Sequence, residues 1–163
     1  MIRNASPADI EDIAAIYNEA VLEGRLTGDL EPVSIEDRRT WYFEHQGRYA
    51  IFVKVVGGAA VGYAAISPYR KGRNAFHETC EISYYLSRQH RGKGFGRELI
   101  DYAIEQAGSS GFRLILAMIL ECNQRSVDVL VGSGFSILGR LPNAARIGDE
   151  YFDHFYLFRD MRP

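Results

Sequence analysis

Apolar residues recur at intervals of three or four positions in 10–21 and 95–107, the spacing that gives an amphipathic helix one buried face. Ser34 and Asn123 mark the start of two further helices. The first segment starts with Ser6-Pro7, residues typical of a helix N-cap and first turn, and ends near Gly24. The helix that starts at Ser34 has Asp37 in the position of a weak capping box. The pattern predicts helices at 7–24, 34–45, 95–107 and 123–132.

Runs rich in β-branched and aromatic residues separate these segments and predict strands. Two of them flank Gly57-Gly58, a dipeptide typical of a hairpin turn. A later run alternates, so that Glu81, Ser83 and Tyr85 are expected on one face of the sheet. The predicted strands are 2–5, 49–56, 59–67, 80–87, 112–120, 135–141 and 151–158. We therefore expect one α+β domain over residues 1–163, with a mixed sheet flanked by helices.

Composition narrows the class of protein. The 163 residues are 47% apolar and 25% charged, as in a soluble globular domain, and the formal net charge is −2. That charge gives no general attraction to nucleic acid or to an anionic membrane, so neither is expected as a partner. The most apolar stretch, 50–66, contains Lys54 and a Gly-Gly turn, which favours a hairpin over a membrane span.

The cysteines and histidines indicate neither a disulfide framework nor a metal site. Cys80 and Cys122 form no CxxC pair, and the four histidines lack metal-ligand spacing. Both cysteines are expected to be small buried hydrophobes. No apolar signal-peptide region follows Met1, so we expect a cytoplasmic enzyme or binding domain.

The most informative segment lies between a predicted strand and the strongest predicted helix. It reads Gln-His-Arg-Gly-Lys-Gly-Phe-Gly at 89–96, and its alternate glycines let the backbone come close to a ligand. The free N–H groups of the following helix carry partial positive charge, and Arg88, Arg91, Lys93 and Arg97 add local charge. The segment therefore predicts a site for a phosphate or pyrophosphate.

Two common nucleotide-binding loops fit this segment less well. A Walker loop requires Gly-Lys-Ser/Thr, whereas Lys93 is followed by Gly-Phe. The dinucleotide fingerprint requires a third glycine three positions after the second, where Arg97 or Leu99 stands. Glu121 could imitate the ribose-binding acid, so a dinucleotide site stays a rival, although it requires several parallel βαβ units.

The spacing Gln89-x-x-Gly92-x-Gly94 resembles the acetyl-CoA pyrophosphate loop of the GNAT superfamily of N-acetyltransferases. Other motifs resemble its phosphinothricin N-acetyltransferase and L-amino acid N-acyltransferase branch. They are Glu31-Pro32, Arg73-Asn74-Ala75-Phe76, Glu81, Asn123-x-x-Ser126, Gly134-Phe135 and the tail 139–153. The loop alone indicates the superfamily, and the combination, which spans nearly the whole chain, indicates the branch.

The resemblance implies a GNAT-like fold in which strand 80–87 and the parallel strand 112–120 splay apart to admit acetyl-CoA as co-substrate. It also implies a homodimer. The residues expected to bind acetyl-CoA are Tyr85, Leu86, Ser87, Arg91, Gly92, Lys93, Gly94, Phe95, Gly96, Asn123 and Ser126. Those expected to bind the acceptor are Glu31, Arg73 and Asn74.

Acetyl transfer requires a neutral amine, a bound thioester and an outlet for the thiolate. An α-amino group has a pKa of about 7.7–8, so a base helps without being indispensable. Glu81 matches the family's proposed general base and is expected to act directly or through water. Many relatives carry Tyr or His where this chain has Leu130, so the usual acid is missing and no replacement is assigned. Because neither cysteine has an evident base, we expect direct attack in a ternary complex.

Arg73 is expected to hold a carboxylate or phosphinate of the acceptor, because arginine binds such anions with paired donors. Together with Glu81 it favours an N-acetyltransferase for a small amino acid-like amine, such as phosphinothricin or methionine sulfoximine. The alternative is an acyl-CoA-binding regulatory module, which would need the loop but neither residue. A third interpretation is an enzyme for a protein N-terminus or a polyamine, although a polyamine would call for an acidic pocket.

Overall fold

The computed structural model describes residues 1–162, which form one seven-stranded sheet and four α-helices. The strands are β1 (Ile2–Asn4), β2 (Ile51–Val56), β3 (Ala59–Pro68), β4 (Thr79–Leu86), β5 (Leu114–Leu120), β6 (Ser136–Ile147) and β7 (Glu150–Asp160). The helices are α1 (Ile10–Glu23), α2 (Ile35–Glu44), α3 (Phe95–Ser109) and α4 (Gln124–Gly132). None of the helices in this part of the chain is long and apolar enough to cross a membrane.

The sheet has the order β1-β2-β3-β4-β5-β7-β6, and within residues 1–162 only β4 and β5 are parallel neighbours. A dinucleotide-binding fold is built from several parallel βαβ units, so that rival is excluded. Glu121 has a structural role instead, because its side chain accepts the Asp153 N–H at 3.0 Å and ties the end of β5 to β7. The mixed sheet expected from the sequence is confirmed.

The parallel pair β4–β5 is short. Thr79, Cys80 and Glu81 lie opposite residues 114–116, and the pairing ends there. Beyond that point β4 stays paired only with β3, and β5 only with β7. The two strands therefore splay apart after Glu81, as the resemblance implied.

Helices cover both faces of the sheet. On one face α3 and α4 bury apolar side chains against the inward residues of the strands, including Cys80 and Ile82 of β4. On the other face α1 and α2 enclose a smaller cluster around the fully buried Tyr63, with Tyr85 of β4 packed against it. Alternate residues of β4 thus face different helices, which fixes the direction of each side chain near the splay.

Capping residues set where the first helices begin. Ser34 caps α2, because its Oγ accepts the Asp37 N–H at 3.0 Å. Ser6 caps a short 3-10 turn, Pro7–Asp9, rather than α1 itself, so α1 begins later than the sequence suggested. Gly24 ends α1 in the left-handed conformation with φ of 81°.

Candidate active site

A cavity of about 750 Å³ passes through the sheet where β4 and β5 separate. Its β4 wall includes Tyr84 and Leu86, which pack on the α3 side, and also Ser83 and Tyr85, which point to the α1 side. Met118 lines the β5 wall. The cavity therefore connects the two faces of the sheet through the gap left by the missing strand pairing.

The glycine loop forms one end of this cavity. Gly92 and Gly94 have φ of 80° and 82°, and the chain enters α3 directly after them. Within the described residues, no backbone N–H between Gly92 and Arg97 donates to a protein acceptor, and the first helical bond is from Glu98 to Gly94. Six consecutive unpaired amides at a helix N-terminus form a concave site for an anion such as a pyrophosphate.

Glu81 occupies the last paired position of β4, opposite Leu116 of β5, so it lies at the apex of the splay. Its side chain shares the face of Ser83 and Tyr85, and it is half-buried. Burial raises the pKa of the Glu81 carboxyl. Glu81 itself does not line the cavity, but Ser83, the next residue on its face of β4, borders it. A carboxylate with a raised pKa is suited to accept a proton.

Comparison with known proteins agrees with this geometry. The model of the acetyltransferase (GNAT) family matches residues 11–135. An L-methionine sulfoximine/L-methionine sulfone acetyltransferase of Pseudomonas aeruginosa is 30% identical over 99% of this chain and 95% of its own. The L-amino acid N-acyltransferase MnaT of Escherichia coli is 32% identical over 86% of this chain and 82% of its own. The chain belongs to the acetyltransferase (GNAT) family.

A solved structure of the same family shows the co-substrate. The phosphinothricin acetyltransferase from Sinorhizobium meliloti in complex with acetyl-CoA matches with a TM-score of 0.93 and 30% identity, over 98% of this chain and 87% of that one. The protein is accordingly an acetyl-CoA-dependent N-acetyltransferase. The splay and the row of free amides are the features of this GNAT chain that fit a pantetheine arm and a pyrophosphate.

Most of the residues expected to bind acetyl-CoA lie along the large cavity, and three do not. The residues that line it are Tyr85, Leu86, Arg91, Gly92, Gly94, Gly96, Asn123 and Ser126. Ser87 is buried and bonds His90 Nδ1 at 2.7 Å, whereas Lys93 is exposed. The ring of Phe95 packs beneath the Lys54 ammonium, 4.5 Å from its centroid. The side chains of Ser87 and Phe95 are thus engaged within the protein, whereas that of Lys93 is available to an anion.

The net positive charge around the glycine loop is smaller than the sequence suggested. Arg91 pairs with Glu23 of α1 at 2.7 Å, and its Nε donates to the Leu86 carbonyl at 3.1 Å. Arg97 pairs with Asp101 at 2.7 Å. Arg91 therefore anchors the loop to α1 and β4. The groups left for an anion are the free amides, the exposed Lys93 and Arg125, whose guanidinium lies beside Gly92.

The start of α4 forms the opposite wall. Asn123 caps the helix by accepting the Ser126 N–H at 3.3 Å, and Tyr84 donates its hydroxyl hydrogen to Ser126 Oγ at 3.0 Å. Leu130 is fully buried and also lines the cavity. Its side chain supplies no proton, so no acid stands at the position where the resemblance implied one for many relatives.

The residues expected to bind the acceptor are not gathered around the cavity. Arg73 and Asn74 lie on the exposed connection between β3 and β4, which enters β4 two residues before Glu81. Glu31 is exposed on the connection between α1 and α2 and does not line the large cavity. Their acceptor-binding roles stay predictions.

A second cavity, of about 400 Å³, lies on the α1 and α2 side and was not foreseen from the sequence. It is bordered by Ser83 and Tyr85, which also border the large cavity, and by Tyr17, Arg38 and Trp41 of the two helices. The available signal was the helical spacing of Arg38 with Trp41 and His45, which puts a cation in the middle of an inward-facing stripe.

Proposed function

We propose that this enzyme acetylates the amino group of a small α-amino acid or analogue of the methionine sulfoximine or phosphinothricin type. The observation that carries the proposal is the position of Glu81, a half-buried carboxylate with a raised pKa at the apex of the splay. The relatives in Pseudomonas aeruginosa and Escherichia coli are named for methionine sulfoximine or L-amino acids, which supports this class of acceptor.

The reaction follows from the order of groups along β4. Glu81 accepts a proton from the acceptor ammonium, directly or through water, and the neutral amine attacks the thioester carbon. A C–N bond forms, the C–S bond breaks, and CoA leaves as a thiolate that takes up the second proton, released from the nitrogen as the amide forms. Beyond Glu81 the backbone N–H groups that point into the gap have no partner on the facing strand, and they are available to stabilise the oxyanion.

The thiols support direct attack over a covalent acetyl-enzyme. Burial raises the pKa of the Cys80 thiol to about 12, and burial also raises the pKa of the Cys122 thiol. A cysteine nucleophile reacts as its thiolate, so neither group is suited to accept the acetyl group near neutral pH.

A thiol-release assay with acetyl-CoA tests the proposal. The panel comprises L-methionine sulfone, L-methionine sulfoximine, phosphinothricin, common free amino acids, a polyamine and an alanine-initiated peptide. We expect turnover with the small amino acids and their analogues, and no acetyl-cysteine after acid quench. Turnover confined to the polyamine or the peptide, or binding of acetyl-CoA without any turnover, contradicts the proposed function.

A further inference from the structure

A buried cation without a protein counter-ion lines the second cavity. Arg38 is only 6% exposed, and its Nε is buried without a hydrogen-bond partner. Within residues 1–162, no carboxylate forms an ion pair with it and no side chain or backbone group accepts its guanidinium N–H donors. A buried charge is costly to leave unpaired, so such an arrangement calls for an anion from elsewhere.

The surroundings of Arg38 hold its guanidinium in place without neutralising it. The carbon of the guanidinium lies 4.2 Å from the ring centre of Tyr17 and 4.6 Å from that of Trp41. Tyr17 is itself fixed, because its hydroxyl bonds Thr27 Oγ1 at 2.8 Å and donates to Asp29 at 2.6 Å. The rings cover the plane of the guanidinium. Its terminal N–H groups, which lie in that plane, remain free for a ligand, whereas the Nε is buried.

The two acidic residues at this cavity are engaged elsewhere. Asp29 accepts the Tyr17 hydroxyl, and Asp37 accepts the Ser34 hydroxyl at 2.6 Å as part of the α2 cap. Both are exposed, and neither pairs with Arg38. The anion that complements Arg38 is therefore not supplied by the wall of the cavity.

The cavity is close to the proposed base. Ser83, which borders it, is the next residue after Glu81 on the same face of β4, a spacing of about 6.6 Å along a strand. Tyr85, one step further on that face, packs edge-on against Tyr17 at 4.9 Å. An α-amino acid carries an ammonium and a carboxylate on one carbon, and these are the two charges that complement Glu81 and Arg38.

We propose that Arg38 binds the α-carboxylate of the acceptor, and that this site restricts the enzyme to amines that carry a neighbouring carboxylate. The proposal rests on the proposed function and names the group that selects its substrate. In this scheme Arg73, on its exposed loop, binds a different anion further along the acceptor side chain, such as the phosphinate of phosphinothricin.

The test compares L-methionine sulfone with the propylamine that lacks only its carboxylate, in the wild type, Arg38→Met and Arg39→Met. Arg39 is the matched control, because it is exposed on the same helix and reaches only Glu36 at 3.8 Å. Arg38→Met should raise KM for the sulfone by roughly 10- to 150-fold, leave KM for the amine within about twofold, and leave KM for acetyl-CoA unchanged. Equal losses with both acceptors overturn the proposal.

Binding without turnover gives a second, independent measurement. Trp41 is the only tryptophan of the chain and contacts Arg38, so its fluorescence reports directly on this cavity. The wild type should show a saturable change with the sulfone and none with the amine, and Arg38→Lys should keep that selectivity with weaker affinity. If Arg38→Met does not fold, the wild type and Arg38→Lys test whether Arg38 binds the carboxylate.

The two proposals can fail separately. A wild type that binds the sulfone at Trp41 but acetylates no amino acid contradicts the proposed function and supports the Arg38 site. A wild type that acetylates amino acids yet shows the same Trp41 response to the amine and to the sulfone overturns the Arg38 site alone.

Discussion

At the scale of single residues, the site depends on two charges placed where water is partly excluded. Glu81 has no hydrogen-bonding side chain that would stabilise its ionised form, and burial accounts for its raised pKa. Arg38 is surrounded by rings rather than carboxylates. In the proposed complex the ammonium of the acceptor complements Glu81 and its carboxylate complements Arg38, so the cost of burying each charge is offset only when the acceptor binds.

The raised pKa of Glu81 determines how its replacement should behave. Glu81→Gln should lower kcat by roughly 10²- to 10⁴-fold near neutral pH, because the amine then loses its proton acceptor. The deficit should shrink as the pH rises through the pKa of the acceptor amine, because the neutral form is then already abundant. A pH–rate profile measures this, and Glu78→Gln, which removes only a surface partner of Arg113, is the control. A loss that stays constant with pH contradicts the role.

At the scale of elements, the sequence predicts helix caps and hairpin turns correctly, because contacts between residues close in the chain determine them. The Gly57-Gly58 hairpin and the Ser34 cap lie as expected, because a positive φ and a serine hydroxyl act within a few residues. Strand β6 was predicted too short, ending at 141. It is exposed on both faces for most of its length, so its sequence lacks the alternation of apolar and polar residues that predicts a strand. Its register shifts between 141 and 145, where Asp153 accepts the Asn143 N–H at 2.8 Å.

The glycine loop allows a matched test of backbone conformation. Gly94 and Gly58 have φ of 82° and 88°, and an added Cβ would meet nothing within 4 Å at either. Gly94→Ala and Gly58→Ala should therefore lose similar stability, about 1–2 kcal/mol. Only Gly94→Ala should also weaken acetyl-CoA binding, because its amide belongs to the unpaired row. Calorimetric titration of both variants decides this, and equal affinities would remove the loop from the site.

The entry into α1 depends on an ionised Asp9. Its carboxylate accepts two Arg3 N–H groups at 2.8 Å and the Ser6 N–H at 2.7 Å, and the Arg3 hydrogen bonds lower its pKa from 3.8 to about 2. A lowered pKa means that the stabilisation is complete above pH 3.8 and is lost as the pH falls through 2.

Asp9→Asn should consequently destabilise the protein by about 2 kcal/mol at neutral pH, and the difference from the wild type should shrink as the pH falls below 3.8. Urea unfolding at a series of pH values measures this. Asp149→Asn, at a fully exposed side chain, should change the free energy of unfolding little. An equal loss in both variants would contradict the stabilising role of the ionised Asp9.

At the scale of the whole molecule, the sheet consists of two antiparallel halves joined by a short parallel pair. Sequence patterns identify each half, but the splay was expected only from the resemblance, since unpaired strand edges leave no periodic signal. The second cavity was missed for a related reason. Its walls come from α1, α2 and β4, which are far apart in sequence, and a buried unpaired arginine looks the same in a sequence as an exposed one.

The short parallel pair between β4 and β5 predicts which backbone amides acetyl-CoA should protect from hydrogen–deuterium exchange. A ligand that spans the gap should slow hydrogen–deuterium exchange at amides within 82–86 and 117–120, because it replaces the missing strand partners. Amides of β1 and β2 should exchange as before. Mass spectrometry with and without acetyl-CoA measures this, and protection limited to 92–97 would mean that the gap is not occupied.

The passage of the large cavity through the sheet bears on the order of substrate addition. The glycine loop and α4 lie on one side of β4, whereas the cavity of Arg38 lies on the other, and the two cavities meet only at Ser83 and Tyr85. If acetyl-CoA binds at the loop and the acceptor at Arg38, as proposed, neither substrate covers the site of the other. We therefore expect a random sequential kinetic scheme, in which the acetylated product departs before CoA or after it.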